Sequence, residues 1–209
     1  MKKLAILGAS GHGKVVADCA EACGWESVVF FDDAWPARRE NGHWPVLGDT
    51  AALLTTLAAY DGVLVAIGNC RVRQEKLALL SEAGASIPTL VHPTAVISRY
   101  ATLGAGTVVF ANAVVNVDAS VGPGCILNTG CTVDHDCVLG ACVHVSPGAN
   151  LAGGVTVGDR SWVGIGSATR QYLSIGSDVM VGVGAAVVSN IPDGLTVVGA
   201  PAADITLKR

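Results

Sequence analysis

The sequence predicts two parts: an α/β unit of parallel strands, then a parallel β-solenoid. Three observations carry this. From Val91 to Ile191 an aliphatic residue returns every sixth position with no insertion, over seventeen consecutive hexapeptides. The first 90 residues instead alternate short apolar runs with stretches of helical spacing. Charge divides at the same place: residues 1–90 hold eight Lys/Arg and ten Asp/Glu, whereas residues 91–209 hold five and seven, with no Glu.

The N-terminal part, residues 1–90, opens on the apolar run Leu4-Ala5-Ile6-Leu7, which stops at Gly8 as a buried parallel strand would. Val15, Val16, Cys19, Ala20 and Cys23 follow at helical spacing up to Gly24. A second strand, Val28 to Phe31, ends on Asp32-Asp33. Residues 49–60 read as a helix capped by Asp49 or Thr50, Gly62 to Ile67 as a strand, and 71–83 as a helix. Ile87 to Val91 reads as a last strand, so the order β-α-β-α-β-α-β predicts a parallel sheet, one half of a doubly wound, Rossmann-like fold.

The second part, residues 91–209, ends in a C-terminal tail and otherwise consists of the repeat. Its first positions are Val, Leu or Ile except at Thr169, and its fifth positions are small or modestly apolar, as at Ala95, Cys125, Cys131 and Cys137. A six-residue period fits three flat faces forming a coil of about 18 residues, with stacked strands roughly 4.8 Å apart. First and fifth positions then face inward. Periodicity alone leaves the hand of the coil open.

Composition excludes several classes. A net charge of −4 without a basic run argues against nucleic acid as a partner. No apolar run approaches the ~20 residues of a membrane span, and Met1-Lys2-Lys3-Leu4 leads into a strand rather than a signal peptide. Seven cysteines, an odd number without CxxC pairs, suggest a reducing, cytoplasmic setting. The nearly uncharged coil predicts a homo-oligomer assembled through the repeat.

The glycine loop Gly8-Ala9-Ser10-Gly11-His12-Gly13-Lys14 is neither of the common phosphate fingerprints. Val15 stands where a P-loop needs a hydroxyl, and glycines at 8, 11 and 13 miss the dinucleotide spacing. It still aims backbone N–H groups and a helix start at an anion. Asp32 and Asp33, at a strand end, suit ribose hydroxyls. A mononucleotide, or a sugar carried on one, fits so small a unit; a plain tight turn and a solvated strand end are the alternatives. In the coil, His135 lies between Asp134 and Asp136, where a carboxylate can fix its tautomer and raise its basicity. His144, at a sixth position, is expected to be exposed or at an interface. The two histidines lie nine residues apart, about half a coil, so they cannot chelate one metal ion together, and no metal is expected.

These residues resemble a family. The segments Gly8–Gly13, Asp32-Asp33, Ala66–Asn69, Leu127-Asn128-Thr129, His135–Gly140, His144-Val145-Ser146 and Val198–Ala202 are similar to those of bacterial sugar-nucleotide acetyltransferases of the left-handed β-helix class. Bacillosamine-pathway N-acetyltransferases and sialic acid O-acetyltransferases typify that class. The resemblance implies acetyl-CoA as co-substrate, a nucleotide-linked amino sugar as acceptor (UDP-4-amino-4,6-dideoxy sugar favoured), a left-handed coil and a homotrimer. It implies His135 as general base, Asp136 as its orienting carboxylate and the Gly153 N–H as oxyanion donor. It places His144, Gly153, Ile165 and Gly182 along acetyl-CoA, and Gly11, His12, Gly13, Asp32, Asp33 and Gly68 at the nucleotide-sugar. A GDP-linked amino sugar, O-acetylation of sialic acid, a non-catalytic nucleotide-sugar scaffold and a zinc-dependent hydratase are the competing expectations.

Overall fold

A computed structural model describes residues 2–204, so the last five residues of the expected C-terminal tail lie outside the described part. The chain divides into two compact units between Pro93 and Thr94.

In the first unit β1 (Lys3–Leu7) lies between β2 (Ser27–Phe31) and β5 (Gly62–Val65), both parallel to it. Leu4, Ala5, Ile6 and Leu7 are all buried, which is why the strand reads as a continuous apolar run: both its faces are covered. Helix α1 (Gly11–Ala22) buries Val16, Ala17, Cys19 and Ala20. Helix α3 (Cys70–Glu82) starts on Asn69, whose Oδ1 accepts the N–H groups of Arg71 and Val72, both at 3.1 Å. The core on one side of the sheet joins Ala5, Leu7, Phe31, Leu53, Val63, Val65 and Leu80.

Two expectations need correction here, and one element goes beyond them. The helix expected over 49–60 is only α2 (Thr50–Thr55), capped by Asp49, followed by a 3-10 turn over Leu57–Ala59. The strand expected over 87–91 does not join the sheet, which ends at β5. Pro88 has no N–H for a ladder and instead packs against Gly62, where a side chain would meet its ring, so only Leu90–Val91 is extended. A small antiparallel pair, β3 (Glu40–Asn41) with β4 (Trp44–Pro45), follows β2 and was not anticipated.

The second unit is a parallel β-helix. Two-residue strands at sixth and first hexapeptide positions stack 18 residues apart, as in Val114 on Val96, Thr132 on Val114 and Asn150 on Thr132. First positions from Val109 to Val163 are all buried, and so are fifth positions from Thr107 to Ala185. Four buried fifth positions share one repeated bond to a carbonyl fifteen residues ahead, while Ser167 donates back to the Gly164 carbonyl at 2.8 Å. Thr107 donates to Gly122 at 2.9 Å, Cys125 to Gly140 at 3.1 Å, Cys137 to Ala152 at 3.2 Å and Ser161 to Gly176 at 2.6 Å. Burial pushes the Cys131 thiol up to about 12, as expected of packing residues rather than nucleophiles. Thr169, the one polar first position, uses its hydroxyl to accept the Ala152 N–H at 3.0 Å.

The corners follow their own rule. Every sixth residue from Gly106 to Gly184 has a positive φ, and half of these are not glycine. Asn112, Asp118, Asp136 and Asp178 are types that tolerate the left-handed region best. The stack closes when Thr196–Val198 pairs with Met180–Val181, and Ala203–Asp204 folds back antiparallel on it.

Candidate active site

His135 sits at a corner of the coil, between the strand Thr132–Val133 and the strand Val138–Leu139. Asp136 occupies the left-handed corner position with φ 59°, and its Oδ2 comes back to 2.7 Å from His135 Nδ1. The short aspartate side chain therefore reaches the ring of its own neighbour. With Nδ1–H donated to that carboxylate, the neutral ring carries its lone pair on Nε2. The hydrogen bond from Asp136 raises the pKa of His135 above 6.5, the neighbouring Asp134 charge adding to the effect.

Nε2 and Cε1 lie against Gly153, one coil further along. A β-carbon at position 153 would sit 2.4 Å from each of them. The Gly153 N–H makes no hydrogen bond among the described residues, while its carbonyl accepts from Tyr172 N at 2.9 Å. A base nitrogen and a backbone donor thus share one corner.

His144 lies elsewhere, on the face built from the strands His144–Val145, Trp162–Val163 and Met180–Val181. It is buried at 5% exposure within the single chain, where a sixth position was expected to be exposed or at an interface. Trp162 above it explains this, with ring centroids 4.0 Å apart. Asn128 Oδ1 accepts the Thr129 N–H, which turns its amide NH2 toward His144 Nε2 at 3.2 Å. Ile165, which is exposed, and Gly182, which packs against Val198, belong to the same side of the coil. The residues expected along acetyl-CoA therefore split within one chain: Gly153 stands with His135, the other three stand apart from it.

In the N-terminal unit a cavity of about 270 Å³ opens at the ends of the strands, lined by Gly8, Ser10, Asp32, Asp33, Gly68 and Lys76 among others. Asp32 accepts the Ala9 N–H at 2.6 Å and the Ala34 N–H at 2.9 Å, so it holds the glycine loop in shape. Asp33 accepts the Thr50 N–H and Lys76 Nζ, both at 2.9 Å, and Lys76 above all holds its carboxyl down to about 2. Gly11, His12 and Gly13 form the first turn of α1 beside the cavity rather than its lining. Gly13 is required by packing, since a β-carbon there would lie 2.4 Å from the Gly8 carbonyl oxygen, whereas Gly11 faces open space. Burial lowers His12 to about 4, with the Arg73 charge contributing, so its ring is neutral near pH 7.

Lys76 and Arg73 escaped the sequence reading, and Asn128 entered it only within the segment Leu127-Asn128-Thr129, with no role assigned. Arg73 is 1% exposed and donates to the carbonyls of Ile67 at 2.8 Å and Gly68 at 2.9 Å. Its spacing of three from Lys76 put both on one face of α3, a signal present in the sequence. Among the described residues no group of three or more His, Cys, Asp or Glu is arranged to hold a metal ion, and no helix is long and apolar enough to cross a membrane.

Residues 3–80 match the PglD N-terminal domain family. UDP-N-acetylbacillosamine N-acetyltransferase of Bacillus subtilis is 36% identical over 111 residues, 52% of this chain and 51% of that protein. The chain thus spans about half the length of that curated relative. Among solved structures, the acetyltransferase domain of PglB from Neisseria gonorrhoeae, in complex with acetyl coenzyme A, is 43% identical with a TM-score of 0.94, covering 98% of this chain and 99% of that one. PerB from Caulobacter crescentus, in complex with CoA and GDP-perosamine, is 37% identical with a TM-score of 0.93, covering 98% and 97%. With likeness of this degree over nearly whole chains, and the same α/β unit leading into a β-helix, this protein belongs to the bacterial sugar N-acetyltransferase family of PglB and PerB.

Proposed function

We propose that the protein transfers the acetyl group of acetyl-CoA to the amine of a nucleotide-linked amino sugar, with a UDP-4-amino-4,6-dideoxy sugar as the favoured acceptor. The observation that carries this reading is the His135 corner: an imidazole tied to a carboxylate at Nδ1, with its Nε2 edge laid against Gly153. In the reaction the neutral amine nitrogen attacks the thioester carbon, and its proton passes to His135 Nε2. The carbonyl oxygen, now an oxyanion, is met by the Gly153 N–H. Collapse of the tetrahedral intermediate expels the CoA sulfur, which takes the proton back from Nε2. The thioester is already activated, so no covalent nucleophile is needed.

The relatives support both substrates. The PglB domain binds acetyl coenzyme A and PerB binds CoA with GDP-perosamine. We assign the nucleotide to the cavity of the N-terminal unit, where Ser10, Asp32, Asp33, Gly68 and Lys76 converge. His12 and the start of α1 stand beside it.

We also propose a homotrimer. His144, Ile165 and Gly182 stand apart from His135 within one chain, so a single site using all of them needs two chains. Exposed Ile165 and Val183, 53% and 75% accessible, lie one coil apart and offer an apolar stripe for that contact. No disulfide joins any of the seven cysteines, and a cytoplasmic location is proposed with the rest of this reading.

The test is incubation with acetyl-CoA and a panel of UDP- and GDP-amino sugars while following free thiol release, with sedimentation for the oligomer. Thiol release with an amino-sugar nucleotide is expected. A protein that leaves every acceptor unacetylated, or whose melting temperature ignores acetyl-CoA, is a scaffold instead. Preference for the GDP series would correct the nucleotide alone.

A further inference from the structure

We infer that Thr169 is a positioning residue: its hydroxyl takes the Ala152 N–H out of the coil's ladder and so sets the direction in which the Gly153 N–H meets the reacting carbonyl oxygen. This rests on the acetyl-transfer reading above and adds to it a residue outside the His135 corner.

Thr169 breaks the repeat twice. Among the seventeen first positions it alone is not aliphatic. The ladder is also interrupted there. Stacked strands of this face are joined through two residue pairs, as Thr132–Val133 is with Asn150–Leu151, and Ala168–Thr169 with Ala186–Val187. Between these, among the described residues, Asn150 pairs with Ala168 alone. The cause is one exchanged acceptor. From Ser98 to Arg170 the second positions of this face donate their N–H to a first-position carbonyl one coil on. Ser98 donates to Val115 at 2.8 Å, Asn116 to Val133 at 2.9 Å, Asp134 to Leu151 at 3.1 Å and Arg170 to Val187 at 2.8 Å. Ala152 is the exception. Its N–H goes to Thr169 Oγ1 at 3.0 Å instead of to the Thr169 carbonyl.

The consequence falls on the next peptide. Two peptide planes meet at the Ala152 α-carbon, and its φ and ψ describe the angle between them. Thr169 holds the first plane through the Ala152 N–H. Cys137 holds the second, donating from Sγ to the Ala152 carbonyl at 3.2 Å. The Cys137 side chain is buried, so that carbonyl is turned to the interior of the coil. A trans peptide sets its N–H opposite its C=O, which turns the Gly153 N–H outward, to the side on which the half-exposed ring of His135 stands. Cysteine-to-carbonyl bonds recur along the coil, as from Cys125 to Gly140, and need no special role. The threonine does not recur. Valine has the same shape, matches the other first positions and leaves the main-chain carbonyl as the only acceptor, so packing does not ask for a hydroxyl here. An oxyanion donor does, because its strength depends on its aim.

The test compares the wild type, Thr169→Val and Thr169→Ser by steady-state thiol release, using acetyl-CoA and the amino-sugar nucleotide that the wild type accepts. A thermal melt of each and a crystal structure of Thr169→Val accompany it. Thr169→Val should fold and show Ala152 donating to the main-chain carbonyl of residue 169. Its kcat should fall by about tenfold to a hundredfold, short of the loss when an oxyanion donor is removed outright, with both KM values nearly unchanged. Thr169→Ser keeps the hydroxyl and should return most of that kcat. Wild-type kcat in Thr169→Val overturns the inference. So does an equal loss in the two variants, or a rise in KM without a fall in kcat. A Thr169→Val chain that does not fold also overturns it, since the hydroxyl would then hold the coil and not the corner. These outcomes leave wild-type thiol release, and with it acetyl transfer, in place. Absence of thiol release from the wild type with every acceptor removes the acetyl-transfer reading and this one together.

Discussion

The imidazole of His135 lies against the α-carbon of Gly153 so closely that a β-carbon would approach Cε1 and Nε2 to 2.4 Å. Eighteen residues separate the two, one turn of the coil, so the repeat length itself brings them together. Gly153 is therefore glycine because of His135.

Gly153→Ala should displace the ring rather than unfold the coil. We expect acetyl transfer to fall by on the order of a hundredfold, the scale of a misplaced general base. Overpacking should cost about 1–3 kcal/mol of stability. Steady-state thiol release and a thermal melt measure the two effects separately, and near wild-type turnover would refute the assignment of this corner as the active site.

Asp136 sets the pH dependence. Its hydrogen bond raises the His135 pKa, so kcat/KM should climb with pH through an apparent value above 6.5, where the ring becomes neutral. Asp136→Asn should move that limb down toward 6.5 while lowering the plateau. The sign for stability is the opposite of that for activity. The ion pair contributes fully below the unfolded value of 6.5 and is lost as pH rises through the raised folded value. A pH–rate profile of both proteins decides the matter; an unmoved limb would mean that Asp136 does not tune the ring.

Asp33 and Lys76 predict behaviour on the acid side. The Asp33 carboxyl, held near 2 instead of 3.8, contributes stability above 3.8 that disappears as pH falls through about 2. Lys76→Met should return its NMR titration midpoint toward 3.8. Some depression should persist because the Thr50 N–H still donates to it.

Two glycines of one loop should respond differently to the same change. Gly13→Ala presses a methyl on the Gly8 carbonyl oxygen and on Phe30, and should cost about 1–3 kcal/mol. Gly11→Ala meets nothing within 4 Å and lies at a helix start, so it should be neutral or stabilising by up to about 1 kcal/mol. Comparison of the two melting temperatures checks this.

Much of the architecture was legible because it repeats. A six-residue period over a hundred residues leaves no choice but stacked flat faces, and the first and fifth positions are buried as that geometry requires. The N-terminal unit was less legible at its edges. The run Ile87–Val91 is apolar enough for a strand, but Pro88 keeps it out of the ladder. The helix expected to reach residue 60 stops at Thr55, where the chain tightens into a 3-10 turn. Local propensity sets such ends weakly, and packing decides them.

By itself the sequence determined the periodic core, the change from alternating elements to a repeat near residue 91, and the presence of a carboxylate on each side of His135. These are local or repeating properties, readable from spacing. Tertiary structure decided what depends on distance across coils and between elements. It set the ring of His135 on Gly153 and covered His144 with Trp162. It also bound Asp33 to Lys76. Such contacts depend on side-chain direction and on stacking in three dimensions, which a count of residues along the chain does not contain.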